Sequence, residues 1–269
     1  MIQHLAQRVL VGALLLALFL ALVLLGGWAF WLLVTLFLGL ALWEYLRILQ
    51  PGRGWPAPVA VLAQSLLFAG VQGLLLQEAS SARILETFVL GLLVLLTLYF
   101  LLWMVLYRQE SFRLTRDLLF GHLYLGLPGV LALWIRHQGL WLLLYPALVV
   151  FVFDSLALFW GLALGRHPLA PAISPKKTWE GFLLGWLSTV PVALGLPGAP
   201  WAVRVASAVL LPPVAHVGDL AESALKRLHG RKDSSTLFGE HGGALDRVDS
   251  LLTVVPWFFL LLRWLGGGG

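Results

Sequence analysis

Between Gly218 and Ser250 stand two pairs of carboxylates, Asp219 with Glu222 and Asp246 with Asp249, the members of each pair three residues apart. On a helix that spacing puts both members on one face. The first pair reads as the end of one helix and the second as the start of another. Facing each other, they would make an oxygen-rich site of the kind Mg²⁺ prefers, completed by water and substrate phosphates. Between the pairs lie Lys226, Arg227, Arg231, Lys232 and His241, and the Gly242-Gly243 step lets backbone approach a ligand closely. Acid for a metal and base for phosphate, within one stretch, suit metal-assisted phosphoryl or nucleotidyl transfer. Each of these charges alone reads as a solvated loop residue, and Ser223, Asp233, Ser234 and Ser235 read equally as caps or turn residues. The clustering carries the functional reading.

Two further places hold polar groups that need explaining. Asp154 lies inside the apolar run Leu144–Leu164. A carboxylate at that depth costs ~2.5–3.5 kcal/mol on insertion scales, so it is either functional or paired to a neighbouring helix. The segment Ile173-Ser-Pro-Lys-Lys-Thr-Trp-Glu-Gly181 reads as a helix start, with Ser174 as N-cap and Pro175 at the first helical position. Lys176 and Lys177 would then sit in the first turn, where the helix dipole disfavours cations unless an anion binds there too. The plain alternative is a pair of topology-setting lysines. Glu44 and Arg47 read as an i,i+3 pair near a helix end. His122, His137, His167 and His216 lack metal-ligand spacing, and only His216, close to Asp219, is kept in reserve.

The elements that must position these residues follow from composition. Of the 269 residues, 60% are hydrophobic and 12% charged, and the mean hydropathy is +0.90. Soluble domains carry about 25% charged residues, so the bilayer is the solvent that suits this chain. The absence of cysteine excludes disulfides and thiolate metal sites. The net charge of +5 sits between apolar runs, which points to topology and anionic lipid rather than nucleic acid.

A spanning helix needs ~20 apolar residues. Nine segments qualify, at about 5–25, 28–48, 58–77, 85–107, 119–136, 139–164, 179–196, 201–221 and 250–265. Pro128, Pro212 and Pro213 interrupt two of them, which membrane helices tolerate when neighbours satisfy the freed carbonyls. With the N-terminus inside, the inner side collects Arg8, Arg47, Arg53, Arg108, Arg113, Arg116, Arg166, Lys176, Lys177, Lys226, Arg227, Arg231, Lys232 and Arg247, and the outer side Arg83, Arg136, Arg204 and Arg263. That asymmetry of 14 to 4 predicts an all-α polytopic protein, N-terminus inside and C-terminus outside. It reads as one membrane domain, with apolar helices over 1–116 and the chemistry within 117–269.

Taken together, these motifs resemble the phosphatidate cytidylyltransferase (CDP-diacylglycerol synthase) family. The family signature has the form S-x-apolar-K-R, four residues, K-D, a turn, H-G-G, and D-R-apolar-D. Here Ser223, Leu225, Lys226, Arg227, Lys232, Asp233, His241, Gly242, Gly243, Asp246, Arg247, Val248 and Asp249 stand at those places. The segment Ser174-Pro-Lys-Lys-Thr-Trp-Glu-Gly and the helix from Asp154 through Gly161 also match. Family members often carry Pro-Gly before the histidine and a larger apolar residue after the glycines, where this chain has Gly239-Glu240 and Ala244.

The resemblance implies CTP and phosphatidic acid as substrates, CDP-diacylglycerol and pyrophosphate as products, divalent-metal dependence, a cytoplasm-facing site and a homodimer. On that reading Asp219 and Asp246 are the expected principal Mg²⁺ ligands, with Asp249 assisting and a second cation admitted. Lys226, Arg227 and Lys232 would neutralise developing charge, Ser174, Lys176, Lys177 and Thr178 would hold a phosphate, and His241 would orient a phosphate or move a proton. Ser223, Asp233, Gly242, Gly243, Arg247 and Asp154 complete the expected substrate site. The expected location is the inner membrane of a bacterial cell, with no nucleic-acid partner. Two other readings stay open: a CTP-dependent lipid-alcohol kinase, which would release CDP, and a secondary transporter of an anionic substrate, which should show paired broken helices in two related halves.

Overall fold

The computed structural model describes residues 17–52, 54, 56–77, 81–106, 109–237 and 242–266. The chain runs through helices α1 (residues 17–25), α2 (Gly27–Leu49), α3 (Pro56–Leu76), α4 (Ser81–Leu106), α5 (Gln109–Gly121), α6 (Leu127–Gln138) and α7 (Leu140–Leu164). A hairpin of β1 (Pro168–Ala170) and β2 (Ser174–Thr178) follows, then α8 (Trp179–Gly195), α9 (Trp201–Leu228), a 3₁₀ turn (Leu245–Arg247) and α10 (Asp249–Leu265). Among the described residues, six helical stretches are long and apolar enough to cross a membrane: Gly27–Leu49, Pro56–Leu76, Ala82–Leu101, Phe112–Gln138, Leu140–Leu164 and Trp201–Leu228. α8 and α10 have 17 residues each.

The bundle is apolar outside as well as inside. Phe151, Leu158 and Leu162 on α7 and Leu62 and Leu66 on α3 are exposed, a pattern that belongs in hydrocarbon. Inside, α6 joins two cores. Val130 and Leu133 pack with α2, α3 and α5, while Leu131 and Ile135 pack with α7, α9 and α10.

The prolines set where each helix needs outside help. Pro197 has no N–H for the Ala193 carbonyl, and the Tyr145 hydroxyl donates to it instead at 3.0 Å. Pro212 likewise frees the Ala208 carbonyl, which accepts from the Trp186 indole N–H at 3.1 Å. Pro128 follows a five-residue π-helical stretch, His122–Gly126, which carries α5 into α6 without a break. The segment expected from 119 therefore begins at Gln109, and the one expected to stop at 221 runs on to Leu228.

Two arginines finish other helices. Arg136 donates to the carbonyls of Val23 and Leu24, both at 2.8 Å. Arg204 donates to Leu194 at 3.1 Å and Leu196 at 3.5 Å. A cation at a helix C-terminus satisfies free carbonyls and complements the dipole.

The hairpin corrects one expectation. Ser174 is not a helix cap, and Lys176 and Lys177 are not in a helical first turn. Ser174–Thr178 is a strand, antiparallel to β1, with Ala170 opposite Ser174 and Pro168 opposite Thr178. Thr178 is the cap of α8, its hydroxyl accepting from Gly181 N–H at 3.2 Å. Pro175 cannot donate to a ladder, and at the edge of a two-stranded sheet it need not. In a strand successive side chains point to opposite faces, so Lys176 turns outward while Lys177 turns to the bundle.

Candidate active site

One end of the bundle gathers the polar residues. The C-terminal parts of α2, α7 and α9 and the N-terminal ends of α8 and α10 meet there, tied by the loop that leads from α9 to α10. Two glycines permit the approach. At Gly218 a Cβ would lie 2.3 Å from Thr253 Oγ1 and 2.9 Å from the Asp249 carbonyl, so only glycine lets α9 pack on α10 just before Asp219. At Gly185 a Cβ would meet the α7 backbone at Ala157 at 2.7 Å, the small-residue contact by which membrane helices come close.

α9 presents Asp219, Glu222, Ser223 and Lys226 in sequence. Asp219 receives the Lys177 ammonium from β2 at 2.5 Å and the Ser223 hydroxyl at 3.3 Å. Asp154 on α7 and Asp249 on α10 lie within electrostatic reach of Asp219 and of each other, with Lys177 and Lys226 as the neighbouring cations. Asp249 accepts from its own neighbour's N–H, Ser250, at 2.7 Å. Asp154 is exposed although it sits in an apolar helix. Counting 1.5 Å per residue, it lies about 15 Å along α7 from Leu164.

Asp246 and Asp249 were expected on one helix face, but Asp246 belongs to the 3₁₀ turn and α10 begins at Asp249. Asp246 faces the loop. Its Oδ2 accepts from Ser234 Oγ at 2.8 Å, Ser234 N–H at 3.0 Å and Gly243 N–H at 2.7 Å. Its Oδ1 pairs with the Lys226 ammonium, which also holds the fully buried Glu222 at 2.6 Å. Burial pushes the Asp246 carboxyl up, but the Gly243 N–H, the Lys226 ammonium and Ser234 together bring it down to about 2. Gly242 has φ +77° and supplies the left-handed turn into this loop.

Glu44 is the residue that sequence reasoning placed wrongly. It does not pair with Arg47, whose guanidinium lies over the Trp43 ring at 5.6 Å. It is buried at 5% exposure and accepts from Ser235 Oγ at 2.6 Å, Leu245 N–H at 2.8 Å, Ser234 Oγ at 3.0 Å and Ala244 N–H at 3.1 Å. The signal was present in the sequence: a carboxylate inside an apolar helix, the same anomaly that singled out Asp154. A Cβ on Gly243 would strike Ser234 Oγ at 2.2 Å and Glu44 Oε1 at 2.4 Å, which explains the second glycine. Ser234, for which the sequence leaves cap and turn roles open, joins Glu44 to Asp246.

Other expected residues lie at the margin. Arg227 is exposed and donates to the carbonyls of Ile173 at 3.3 Å and Arg231 at 3.1 Å, so it ties the loop to the hairpin. Lys176, Lys232, Asp233 and Arg247 are exposed, and Ser174 is half-buried in β2. His241 lies outside the described residues. His216 is buried between Phe153 and Phe182, at ring separations of 5.9 Å and 4.9 Å.

The donors of the cluster are carboxylate and hydroxyl oxygens, a set suited to a hard divalent cation. Among the described residues, no group of three acidic or histidine side chains closes round a single point. Mg²⁺ does not require one, since it is usually held by one or two carboxylates, waters and substrate phosphates.

Comparison with known proteins places the chain among cytidylyltransferases. The chain is 32% identical over 266 residues to the phosphatidate cytidylyltransferase of Bacillus subtilis, which covers 95% of this chain and 97% of that protein. It is 40% identical over 147 residues to the phosphatidate cytidylyltransferase of Haemophilus influenzae and 37% identical over 145 residues to that of Staphylococcus saprophyticus. Those two alignments span about half of each relative, 50% and 55%. Residues 6–265, which include every helix that builds the site, match the cytidylyltransferase family, and the chain belongs to that family.

Proposed function

We infer that the protein transfers CMP from CTP to phosphatidic acid, giving CDP-diacylglycerol and pyrophosphate. The observation that carries this reading is the convergence of Asp154, Asp219, Asp246 and Asp249 with Lys177 and Lys226 at one end of an apolar bundle, in a chain of the cytidylyltransferase family. A phosphate oxygen of phosphatidic acid attacks the α-phosphorus of CTP. The bond to the bridging oxygen breaks and pyrophosphate leaves with the electron pair. Phosphatidic acid is already anionic, so no strong general base is needed. What the protein must supply is fixed positive charge against the phosphates. Lys177 and Lys226 supply it from within the cluster, and Lys176, Arg227, Lys232 and Arg247 from its exposed edge. Ser174, Thr178, Ser223 and the Gly242-Gly243 backbone line the approach, with Asp233 at its exposed edge.

Asp219, Asp246 and Asp249 are the residues that would hold Mg²⁺, with Asp154 close enough to add charge. The metal would bring Lewis-acid neutralisation of the triphosphate.

The apolar exterior supports a membrane protein, and the bacterial relatives support a bacterial inner membrane. We propose nine spans, N-terminus inside and C-terminus outside, with the site facing the cytoplasm. The distribution of Lys and Arg supports this, and α8 and α10, about 25 Å long at 1.5 Å per residue, would serve as short spans. We also propose a homodimer, testable as a native mass of twice 29.6 kDa after subtraction of detergent.

The test of the reaction uses purified protein with CTP labelled at the α-phosphorus, phosphatidic acid and Mg²⁺. The expected result is label in lipid and unlabelled pyrophosphate, both abolished by a chelator. Release of labelled CDP would identify a kinase instead, and absence of turnover in folded protein would turn the reading towards transport.

A further inference from the structure

We propose that Glu44, on α2, is a positioning residue for the transfer reaction: it fixes the loop that carries Asp246 and thereby sets Asp246 against Lys226. The inference rests on the transfer reaction proposed above.

Four donors converge on this one carboxylate. The hydroxyls of Ser234 and Ser235 come from the start of the loop, and the N–H groups of Ala244 and Leu245 from its end. Residues 190 and more positions away in sequence thus meet on one side chain. Ala244 and Leu245 are fully buried beside it, so their amides have no water to fall back on. A buried amide left unpaired costs about 1–3 kcal/mol, which makes the carboxylate a strong determinant of loop conformation.

The link to chemistry runs through Ser234. Its single O–H proton is shared between Glu44 Oε2 at 3.0 Å and Asp246 Oδ2 at 2.8 Å, and its N–H also points to Asp246. Gly243, pressed against Glu44, donates its own N–H to Asp246. The donors that orient Asp246 are therefore held from behind by Glu44. Asp246 in turn holds Lys226. Neutralising Glu44 while keeping its shape would turn an amide N–H₂ towards the Ala244 or the Leu245 N–H, neither of which can accept, and Asp246 would lose its orientation although the helices stay in place.

The test compares wild type with Glu44→Gln, Glu44→Asp and Ser235→Ala in detergent, following kcat, KM for CTP, melting temperature and hydrogen exchange at Ala244 and Leu245. Expected for Glu44→Gln is a fall in kcat of about 10–100-fold, the range typical when a supporting carboxylate is lost. KM for CTP should change by less than about threefold, and the two amides should exchange faster. Glu44→Asp, which keeps the charge, should recover part of kcat, and Ser235→Ala, which removes one of the four bonds, should lose less than Glu44→Gln.

An unchanged kcat in folded Glu44→Gln would overturn the proposal. So would a kcat that falls only in step with melting temperature, with no recovery in Glu44→Asp. If wild type itself forms no lipid-linked CMP, the reaction is wrong. Exchange at Ala244 and Leu245 then still decides whether Glu44 holds the loop.

Discussion

At Asp246 five contacts meet one carboxylate: two from Ser234 N–H, one each from Ser234 Oγ, Gly243 N–H and Lys226. Asp246→Asn keeps the shape but replaces an acceptor by a donor, and CMP transfer is expected to fall at least about 10²-fold with the helices intact by circular dichroism. Wild-type turnover in that variant would remove Asp246 from the site. The same residue gives a pH dependence. Its carboxyl is held down to about 2 from an ordinary 3.8. A depressed carboxyl contributes stability that is complete above 3.8 and is lost as pH falls through about 2. Melting temperature should therefore drop more steeply between those limits in wild type than in Asp246→Asn. Equal slopes would mean that Asp246 is not paired in the folded protein. Asp219, Lys226, Asp246 and Asp249 stand out in the sequence as candidates by their type and clustering, and the fold brings them to one end of the bundle. Glu44 stands out in the sequence only as a carboxylate inside an apolar helix; its partners are hidden because they lie 190 or more positions away and a nearer residue, Arg47, invites a local pairing.

Elements explain which residues face the site and which only support it. β2 was read as a helix because Ser-Pro before lysines is a fair helix start. The strand won because Thr178, four residues on, provides a better-placed cap, and because β1 offers a partner that no local rule reveals. The cost of losing a cap is about 1 kcal/mol, so Thr178→Ala should lower melting temperature modestly and loosen Lys177. The inter-helix bonds to proline-freed carbonyls are a sharper test. Trp186→Phe leaves the Ala208 carbonyl without its donor and is expected to cost about 1–3 kcal/mol, read as reduced melting temperature with KM unaltered. No change would mean that the carbonyl finds another donor. At the α9–α10 contact, Gly218→Ala would drive a methyl into Thr253 and the Asp249 backbone. It should depress kcat by separating Asp219 from Asp249, and retained activity would argue against a shared site.

For the whole molecule, topology is the property most open to direct measurement, because the chain contains no cysteine. Gln138, at the end of α6, and Ala172, in the hairpin, are both exposed and suit single cysteine substitutions. In intact spheroplasts a membrane-impermeant maleimide should label Gln138→Cys, and it should reach Ala172→Cys only after lysis. The opposite pattern would invert the proposed orientation. Arg136 and Arg204, which the proposed layout puts outside, close the ends of α1 and α8, so each has a structural reason whichever side it faces. Composition alone decided that the chain lives in a bilayer, since too few charges are present to cover a soluble surface. Residue type and spacing between Gly218 and Ser250 pointed to phosphate chemistry, since such chemistry needs those groups close together in any fold. Only the tertiary structure decided that Asp246 faces a loop rather than Asp249's side of a helix, that Lys177 reaches Asp219 from a strand, and that α2 sends Glu44 into the site. Those outcomes depend on packing between helices distant in sequence, where glycines at 218 and 243 let backbones and buried carboxylates meet, and no local pattern encodes which distant element arrives.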